Sequence, residues 1–474
     1  MTHTELDAAF YPNAIAVVGA TDNPASLVYL FTRCLLDFGY SGKIYPVNPK
    51  MKKIFGMRAY PSLDSIEGPV DYVICAIGAP GIPALLDECQ SRDVKVVHVF
   101  SGRLSETGHQ GAKDLEAEIL SKAKQLKIRL IGPNCMGIYH PEQGISFNDD
   151  VPEEPGEIGV ICQSGGLATL LVRYGGLRGL RFSKVVSYGN ALDLNECDYL
   201  EYFARDDKTR IIVCYIEGVR DGRRFLEVLG NTAGIKPVII LKGGRSQVGI
   251  KTATSHTSMM TGSDAIWQAV FRQTGVIQVR DLNELTGVLL PFSFFPPIKG
   301  GNVGILGAGG GQSVLTADIC EARGLSIPPL PPEIKNLLKS KIADISEWIG
   351  NPIDVSAVAA FIKPEMLLEM LARSSRFDLV FVNIDEGSCF AKDAWSAIIE
   401  NVIEKAITLS QKRLKPIVVT LTGGEIHFDQ FSEWRWKFLA RLKTRLVAAH
   451  IPTYSTITEA ATAMSRYLDY YQER

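Results

Sequence analysis

The chain has 474 residues, more than one hydrophobic core usually spans, so we expect about three domains. Hydrophobic residues make up 46% and charged residues 22%, and the formal net charge is -2 with no long basic run. These values are ordinary for a soluble globular protein. They argue against nucleic acid or an anionic membrane as the main partner.

The sequence shows no targeting segment and no cysteine pattern typical of disulfides or metal sites. The first residues show neither the basic nor the apolar segment of a signal peptide, and no apolar run approaches the roughly 20 residues of a membrane span. The nine cysteines are scattered, odd in number and without a Cys-x-x-Cys pair. This distribution favours a reducing cytoplasm, and we predict no metal site in this chain.

Strand-like apolar runs alternate with amphipathic runs along the chain, which predicts an α/β fold with parallel sheets. Three times such a run enters a glycine-containing turn and then a helical pattern: "AIAVVGATDNP", "GEIGVICQSGG" and "GNVGILGAGGGQS". Each is expected to open a domain. The predicted boundaries are a first domain at 1–140, a linker at 141–157, a second domain at 158–292 and a third at 300–474.

The apolar runs of the first domain end in Gly, Pro, Asn or Ser. In a parallel sheet these ends meet at the carboxyl edge, where open α/β folds bind ligands. The runs after the first are "KIYPVNP", "DYVICAIGAP", "VKVVHVFSG" and "IRLIGPNCMG".

Two nucleotide-binding motifs are nearly present. "GRSQVGIKT" differs from a P-loop because Ile250 separates Gly249 from Lys251, and "GAGGGQS" has Gln312 where a dinucleotide fingerprint has its last glycine. We therefore do not expect a P-loop. A nicotinamide-dependent dehydrogenase stays a minor alternative.

Two turns offer backbone N–H groups to an anion. Ser164, Gly165 and Gly166 follow the strand "IGVIC" and are expected to start a helix, where small residues and the helix dipole suit a phosphate. Gly189 and Asn190 precede a helix expected to begin near Asp193. Each turn is also compatible with a routine tight turn.

One histidine lies in the hydroxyl-rich stretch 249–264, "GIKTATSHTSMMTGSD". We expect His256 on a loop between a strand and a helix that Ser263 or Asp264 caps. Glu217, at the end of the strand "IIVCYI", would accept a hydrogen bond from the ring Nδ1 and leave Nε2 as the nucleophile. On spacing alone, a surface histidine and a solvated strand-end acid are the more frequent cases.

Taken together, these stretches resemble the alpha subunit of the NDP-forming acyl-CoA synthetases, which are relatives of the succinyl-CoA synthetase alpha chain. The resemblance covers nearly the whole chain, and "GAGGG" and "NPIDV" extend it into the third domain. The matching stretches are "KIYPVNP", "GPNCMG", "CQSGG", "SYGNALDLNECDYLEYFARDDKT", "YIEGVRDGRRF", "KGGRSQVGIKTATSHTSMMTGSD" and "FRQTGVIQV".

The resemblance implies a Rossmann-like CoA-binding domain followed by two flavodoxin-like domains. It implies that His256 is phosphorylated and that Glu217 orients it. The reaction would interconvert acyl-CoA, phosphate and NDP with acid, CoA and NTP. ATP or ADP and Mg²⁺ would bind to a separate ATP-grasp beta subunit, in a hetero-oligomer such as a heterotetramer. The implied CoA contacts are Thr21, Val47, Asn48, Pro49, Ala79, Pro80, Ser101 and Asn134.

The chain departs from the family pattern in three places, one of which is "SGRLSETG" where the family has "SAGF.E.G". The family motif "SHTG" reads "SHTS" here, with Ser258, and the CoA-binding turn carries Leu27, Val28 and Tyr29 where the family usually has a glycine and often a lysine. A glycine lost beside a phosphate removes backbone freedom. These departures keep open a second function, that of a non-catalytic CoA- or acyl-CoA-binding protein descended from the same family.

Overall fold

The computed structural model describes residues 3–257, 262–298, 300–307, 309–385, 390–422 and 433–472. For residues 3–5 and 254–257 it describes the backbone only. The chain forms two compact units, Met1–Leu282 and Asn283–Arg474. The first unit contains two large sheets and one two-stranded sheet, and the second unit contains one five-stranded sheet.

The first sheet of the first unit is parallel, with strand order β2-β1-β5-β6-β7. Its strands β1, β5 and β6 are buried along their whole length, the pattern of a sheet covered on both faces. The elements are α1 (His3–Phe10), β1 (Ala14–Val18), α2 (Tyr29–Asp37), β2 (Lys43–Val47), β3 (Lys53–Ile54), β4 (Met57–Arg58), β5 (Tyr72–Cys75), α3 (Ile82–Ser91), β6 (Val96–Val99), α4 (Gln110–Leu126) and β7 (Arg129–Ile131).

The second sheet has strand order β13-β12-β11-β9-β10-β8, and its edge strand β8 runs antiparallel to β10. The other pairs are parallel. The elements are β8 (Gly137–Tyr139), β9 (Pro155–Cys162), α5 (Gly165–Leu177), β10 (Phe182–Ser187), α6 (Glu196–Arg205), β11 (Ile211–Ile216), α7 (Gly222–Ile235), β12 (Val238–Lys242), α8 (Gln247–Thr257), α9 (Asp264–Thr274) and β13 (Ile277–Val279).

The second unit holds a parallel sheet of order β15-β14-β16-β17-β18. The elements are α10 (Leu282–Phe294), β14 (Val303–Gly307), α11 (Gly310–Glu321), α12 (Pro332–Lys341), β15 (Ile353–Asp354), α13 (Val355–Val358), α14 (Pro364–Arg373), β16 (Leu379–Asp385), α15 (Lys392–Gln411), β17 (Ile417–Thr422), α16 (Trp434–Ala448), β18 (Thr453–Tyr454) and α17 (Ile457–Gln472).

The predicted α/β class with parallel sheets is confirmed, and two strands do not follow the predicted boundaries. β8 falls within the predicted first domain and pairs in the second sheet, because residues 137–139 continue past the last strand of the first sheet. β9 begins at Pro155, inside the predicted linker. Most of α10 belongs to the second unit, where the Tyr454 hydroxyl donates to Gly287 O at 3.0 Å.

Across the described residues, no helix combines the length and the apolar content needed to cross a membrane.

Two histidines of the first unit are buried in neutral form. The His98 ring, 1% exposed, donates from Nε2 to Cys135 O at 3.0 Å. The His140 ring, also 1% exposed, donates from Nδ1 to Phe10 O at 2.8 Å. Burial is the main cause that lowers the pKa of each ring to about 4. Each ring therefore titrates well below its value in an unfolded chain.

Stability is predicted to fall as the pH is lowered from about 6.5 to about 4. In this window the unfolded chain protonates both rings and the folded chain does not, so each histidine costs up to about 3 kcal/mol near pH 4. Urea unfolding across this range measures the effect. His98→Gln keeps a side-chain N–H donor but cannot be protonated in this range. It should therefore lower the slope of the unfolding free energy against pH by the equivalent of up to one proton. A slope equal to that of the unmodified chain would contradict this account.

Candidate active site

The predicted site residues of the second sheet collect along one edge. Strands β12, β11, β9 and β10 are consecutive neighbours and parallel, so their carboxyl ends lie side by side. Lys242 ends β12, Glu217 follows β11, Ser164 follows β9 and Gly189 follows β10. The edge therefore brings together a cation, a carboxylate and two turns with small residues.

The Ser164 turn opens α5 as predicted. Ser164 is the N-cap of the helix, and its Oγ accepts a hydrogen bond from Leu167 N at 3.3 Å. A Cβ on Gly165 would lie 2.6 Å from Met136 Cγ, whereas a Cβ on Gly166 would meet no atom within 4 Å. The first turn thus keeps its backbone open on one side, where N–H groups and the helix dipole attract an anion.

Glu217 is buried rather than solvated, with an exposed fraction of 6%. Its Oε1 accepts a hydrogen bond from the Tyr215 hydroxyl at 3.1 Å. Gln163 Oε1 accepts from the backbone N–H groups of Glu217 and Gly218, and Gln163 Nε2 donates to Gly218 O at 3.1 Å. Gln163, next to Ser164, therefore fixes the turn that carries the carboxylate.

Lys242 is a site residue that the sequence analysis missed. Its Nζ donates to Glu217 O at 2.8 Å and to Gly243 O, and it lies 4.9 Å from the centre of the Trp267 ring. Burial lowers the pKa of Lys242 to about 8, while the charges of Glu217 and Asp264 oppose that shift. A lysine that ends an otherwise apolar strand was the signal in the sequence.

Gly189 and Asn190 do not lie at a helix N-terminus, which corrects the prediction. Helix α6 starts only at Glu196, after the N-cap Asn195, because the preceding Asp193 is held elsewhere. Its carboxylate forms an ion pair with Arg129 at 2.8 Å and accepts from Leu130 N at 2.9 Å. The chain from 189 to 194 is therefore a turn followed by a bend.

Asn190 joins the two sheets of the first unit through its side chain. Its Nδ2 donates to Glu106 Oε2 at 2.9 Å, and its Oδ1 accepts from Asn134 Nδ2 at 3.4 Å. Arg220 Nη2 donates to Asn190 O at 3.0 Å. A predicted CoA contact, Asn134, thus meets a predicted phosphate-binding residue. Glu106 and Arg220 were missed, because nothing in their local sequence indicates this contact.

His256 lies in helix α8 and not on a loop, which corrects a second prediction. Ser246 caps this segment, since its Oγ accepts from Gly249 N at 3.0 Å, and no proline interrupts the residues that follow. Helix α8 packs beside the 3-10 helix Ser105–Thr107, which contains Glu106. The His256 side chain and all of Ser258 lie outside the described part of the chain.

An ion pair closes the stretch around His256. Arg245 Nε, before α8, lies 2.9 Å from Asp264 Oδ1, at the start of α9. Ser263 caps α9 as predicted, with its Oγ accepting from Ile266 N at 3.4 Å. The two ends of the segment are thereby held together.

The predicted CoA contacts lie at the carboxyl edge of the first sheet. β1 is flanked by β2 on one side and β5 on the other, so the loops after β1 and β5 leave in opposite directions and open a crevice. Asn48 Nδ2 donates to Ala20 O at 2.9 Å, which ties the loop after β2 to the loop after β1. In these loops Thr21 is half-buried and Pro49 exposed, while Val47 is buried at the end of β2.

The loops after β5, β6 and β7 are also linked. The Ser101 hydroxyl donates to Ile77 O, and Asn134 N donates to Ser101 O at 3.2 Å. Ala79 is buried in a short 3-10 helix, while the adjacent Pro80 is exposed. The structure therefore links the predicted CoA residues within two groups of loops, one after β1 and β2 and one after β5, β6 and β7.

The residues of the predicted CoA-binding turn that differ from the family pattern lie at the start of α2. Leu27 is 70% exposed, Val28 is the N-cap, and the helix begins at Tyr29 without a side-chain cap. An apolar side chain thus occupies the surface of this turn. Among the described residues, no group of three or more His, Cys, Asp or Glu side chains is arranged to hold a metal ion.

Comparison with known proteins agrees with this geometry. Residues 13–141 match a family described as a CoA binding domain, and residues 155–290 match a succinyl-CoA ligase like flavodoxin domain. Over 425 residues the chain is 33% identical to the ADP-forming acetate–CoA ligase I subunit alpha of Pyrococcus furiosus, covering 88% of this chain and 90% of that protein. The chain belongs to the family of ADP-forming acyl-CoA synthetase alpha subunits.

Other members of the acyl-CoA synthetase family are longer. The chain is 35% identical over 402 residues to ADP-forming acetate–CoA ligase I of Archaeoglobus fulgidus, covering 84% of this chain and 58% of that relative. It thus spans little more than half of that protein. A solved structure described as dinucleotide-forming acetyl-coenzyme A synthetase 1 of Ca. Korarchaeum cryptofilum, with phosphate and ADP, aligns with a TM-score of 0.81 at 26% identity, covering 99% of this chain and 98% of that chain.

Replacing Gly189 is predicted to break the junction between the two large sheets of the first unit. Gly189 has φ +54°, and a Cβ there would lie 2.2 Å from Pro133 O, so Gly189→Ala should cost about 3 kcal/mol. The matched control is Gly166→Ala, where a Cβ meets nothing within 4 Å and the change should stay within about 1 kcal/mol. Urea unfolding measures both. Equal stability of the two variants would contradict the role of Gly189 in the junction between the two sheets.

Proposed function

We propose that this chain is the CoA-binding half of an NDP-forming acyl-CoA synthetase. Phosphate oxygen attacks the acyl-CoA thioester, the C–S bond breaks, and CoA leaves with a proton. The imidazole of His256 then attacks phosphorus in the acyl phosphate, and the free carboxylate leaves. Phosphohistidine finally transfers its phosphoryl group to ADP. The observation that carries this proposal is the match, over nearly its whole length, to an acetate–CoA ligase subunit alpha.

The edge of the second sheet supplies what phosphoryl transfer needs, which is positioning and charge stabilisation. The open first turn of α5, from Gly165 onward, would bind phosphate oxygens. Glu217 would stabilise the positive charge that develops on the ring of His256. Lys242 donates to the backbone oxygen of Glu217, so it would act as a positioning residue for that carboxylate. Gly189 and Asn190 form the turn after β10 at the same edge, and we propose that this turn also contacts the phosphate.

CoA would bind as substrate at the edge of the first sheet. CoA would fit against the backbone at this edge. Gly19, at φ +92°, allows β1 and β5 to approach closely, and a Cβ on Gly78 would meet only Pro80 at 3.9 Å. Open turns without large side chains suit the phosphates and the pantetheine arm. The loops that carry Ser101 and Asn134 would line the path toward Asn190.

We propose that ADP or ATP and Mg²⁺ bind on an ATP-grasp beta subunit, with which the chain forms a hetero-oligomer such as a heterotetramer. The name of the Pyrococcus relative, a subunit alpha, supports a partner, and so does the greater length of the Archaeoglobus relative. The eight described cysteines are buried free thiols, which supports a cytoplasmic location.

A second candidate function is non-catalytic binding of CoA or acyl-CoA. The observation that favours it is the exposed Leu27 in the turn where the family usually has a glycine. Against it, helices α5 and α9 are both capped, and the Arg245–Asp264 ion pair holds the two ends of the stretch that contains His256.

Labelling at His256 tests the proposal. With an ATP-grasp beta subunit from a related synthetase and labelled ATP, the chain should gain an acid-labile label that CoA and a cognate acid discharge. His256→Ala should remove the label and leave CoA binding, measured by calorimetry, within about twofold, since another sheet forms the CoA site. Glu217→Gln should slow labelling about ten- to a thousandfold, because the amide cannot stabilise the ring charge.

The controls separate the alternatives. An acid-stable label that persists in the alanine variant would move the chemistry to a neighbouring hydroxyl. CoA binding without any label in the unmodified chain would favour the non-catalytic function. Absence of CoA binding by the folded chain, even at millimolar ligand, would contradict both functions.

A further inference from the structure

Arg220 connects two loops at the carboxyl edge of the second sheet. It lies in the loop after β11, just beyond Glu217, and its Nη2 donates to Asn190 O at 3.0 Å. Asn190 belongs to the turn after β10. Because β9 lies between β11 and β10, the arginine side chain spans the end of β9, where Ser164 caps helix α5.

The connections of this sheet place Arg220 opposite the first turn of α5. The chain moves outward from β9 to β10 and then returns past β9 to β11. Since crossovers between parallel strands are right-handed, α5 lies on one face of the sheet and α6 on the other. The loop of Arg220 leads into α7, which packs against α6. The crevice at the end of β9 therefore has α5 on one side and the loop of Arg220 on the other.

The charge of Arg220 is not neutralised by an ion pair. Several other arginines of the first unit form ion pairs at 2.8 to 2.9 Å, for example Arg129 with Asp193, Arg224 with Asp198 and Arg245 with Asp264. Arg220 is exposed, and among the described residues no carboxylate lies within ion-pair distance of its guanidinium. This arginine is therefore available to a bound anion.

Glu196, at the start of α6, compensates this charge only in part. Burial raises the pKa of Glu196 to about 7, and the charge of Arg220 opposes that rise. Glu196 Oε2 has no hydrogen-bond partner among the described residues. Because its pKa lies near neutral pH, the carboxyl group is only about half ionised there. Positive charge thus remains on this side of the crevice.

The free part of the guanidinium suits a phosphate. Its planar fork donates parallel N–H bonds to two phosphate oxygens, and the bond to Asn190 O engages only Nη2. On the other side of the crevice, the first turn of α5 presents backbone N–H groups, and a Cβ on Gly166 would meet nothing within 4 Å. A phosphate between the two would receive donors from both sides.

We propose that Arg220 binds the phosphate group opposite the first turn of α5. The inference rests on the proposed function, which places a phosphate at this turn, and it adds the arginine that binds from the other side. The ligand is inorganic phosphate before it attacks the thioester and the phosphoryl group of the acyl phosphate afterwards. A fixed positive charge at this point stabilises the charge on the phosphoryl oxygens during transfer.

Calorimetry on the full chain, with inorganic phosphate and CoA titrated separately, tests the proposal. Arg220→Gln should weaken phosphate binding at least about tenfold, because the amide carries no charge, and leave CoA binding within about twofold. Arg220→Lys keeps the charge without the planar fork and should give an intermediate affinity. The matched control Arg223→Gln removes an exposed arginine in the first turn of α7 and should keep phosphate binding within about twofold.

Salt dependence separates binding of phosphate from support of the Asn190 turn. The difference in phosphate affinity between the unmodified chain and Arg220→Gln should narrow as ionic strength rises from about 0.01 M to about 1 M, because salt screens an exposed charge. A difference that stays constant, together with an equal loss of CoA affinity, would overturn the proposal in favour of a structural role.

The remaining outcomes separate this inference from the proposed function. Unchanged phosphate affinity in Arg220→Gln, or no phosphate binding by the unmodified chain at millimolar phosphate, would overturn the inference, and a label on His256 would leave the proposed function in place. Phosphate binding that requires Arg220, together with no label on His256, would overturn the proposed function and leave Arg220 as part of a phosphate site.

Discussion

The site depends on a short backbone junction between the two sheets of the first unit. Residues 190–194 run beside 130–133, and the N–H groups of Asn190, Leu192 and Leu194 donate to Pro133 O, Gly132 O and Leu130 O at 3.0 to 3.2 Å. The Arg129–Asp193 ion pair lies at the end of this junction and is mostly buried. Because the junction is made of backbone groups, it fixes the two sheets with little dependence on side-chain rotamers.

Backbone strain accumulates where the junction turns. Asn134, Gly189 and Ala191 all have positive φ, between 51 and 59°. Such conformations cost energy for residues other than glycine and persist where surrounding contacts impose them. Here they bring Asn134, a predicted CoA contact, next to Asn190, a predicted phosphate-binding residue. In the proposed reaction the acyl phosphate formed at the CoA thioester must reach the imidazole of His256, and this requires proximity, since a misplacement of 1 Å can cost about a hundredfold in rate.

The sequence predicts the strands well and the contacts between them poorly. Runs such as "VIILK" and "IIVCYI" identify β12 and β11, because buried parallel strands are continuous apolar runs. Ser164 and Glu217 followed from their places at strand ends. The contact between Glu106 and Asn190 joins residues 84 positions apart, and no local pattern indicates it. Helix α8 was missed because hydroxyl-rich composition favours a loop, whereas the cap at Ser246 allows a helix.

Native-state hydrogen exchange at the junction tests the account most directly. If the two sheets open as one body, the amides of Asn190, Leu192 and Leu194 exchange only with an opening free energy within about 2 kcal/mol of that of the central strands β1 and β9. The carboxyl edges of the two sheets, where we propose the phosphate and CoA sites, then keep a fixed relative position. Rapid exchange of these three amides, while β1 and β9 stay protected, would contradict the account, because each sheet would then move independently.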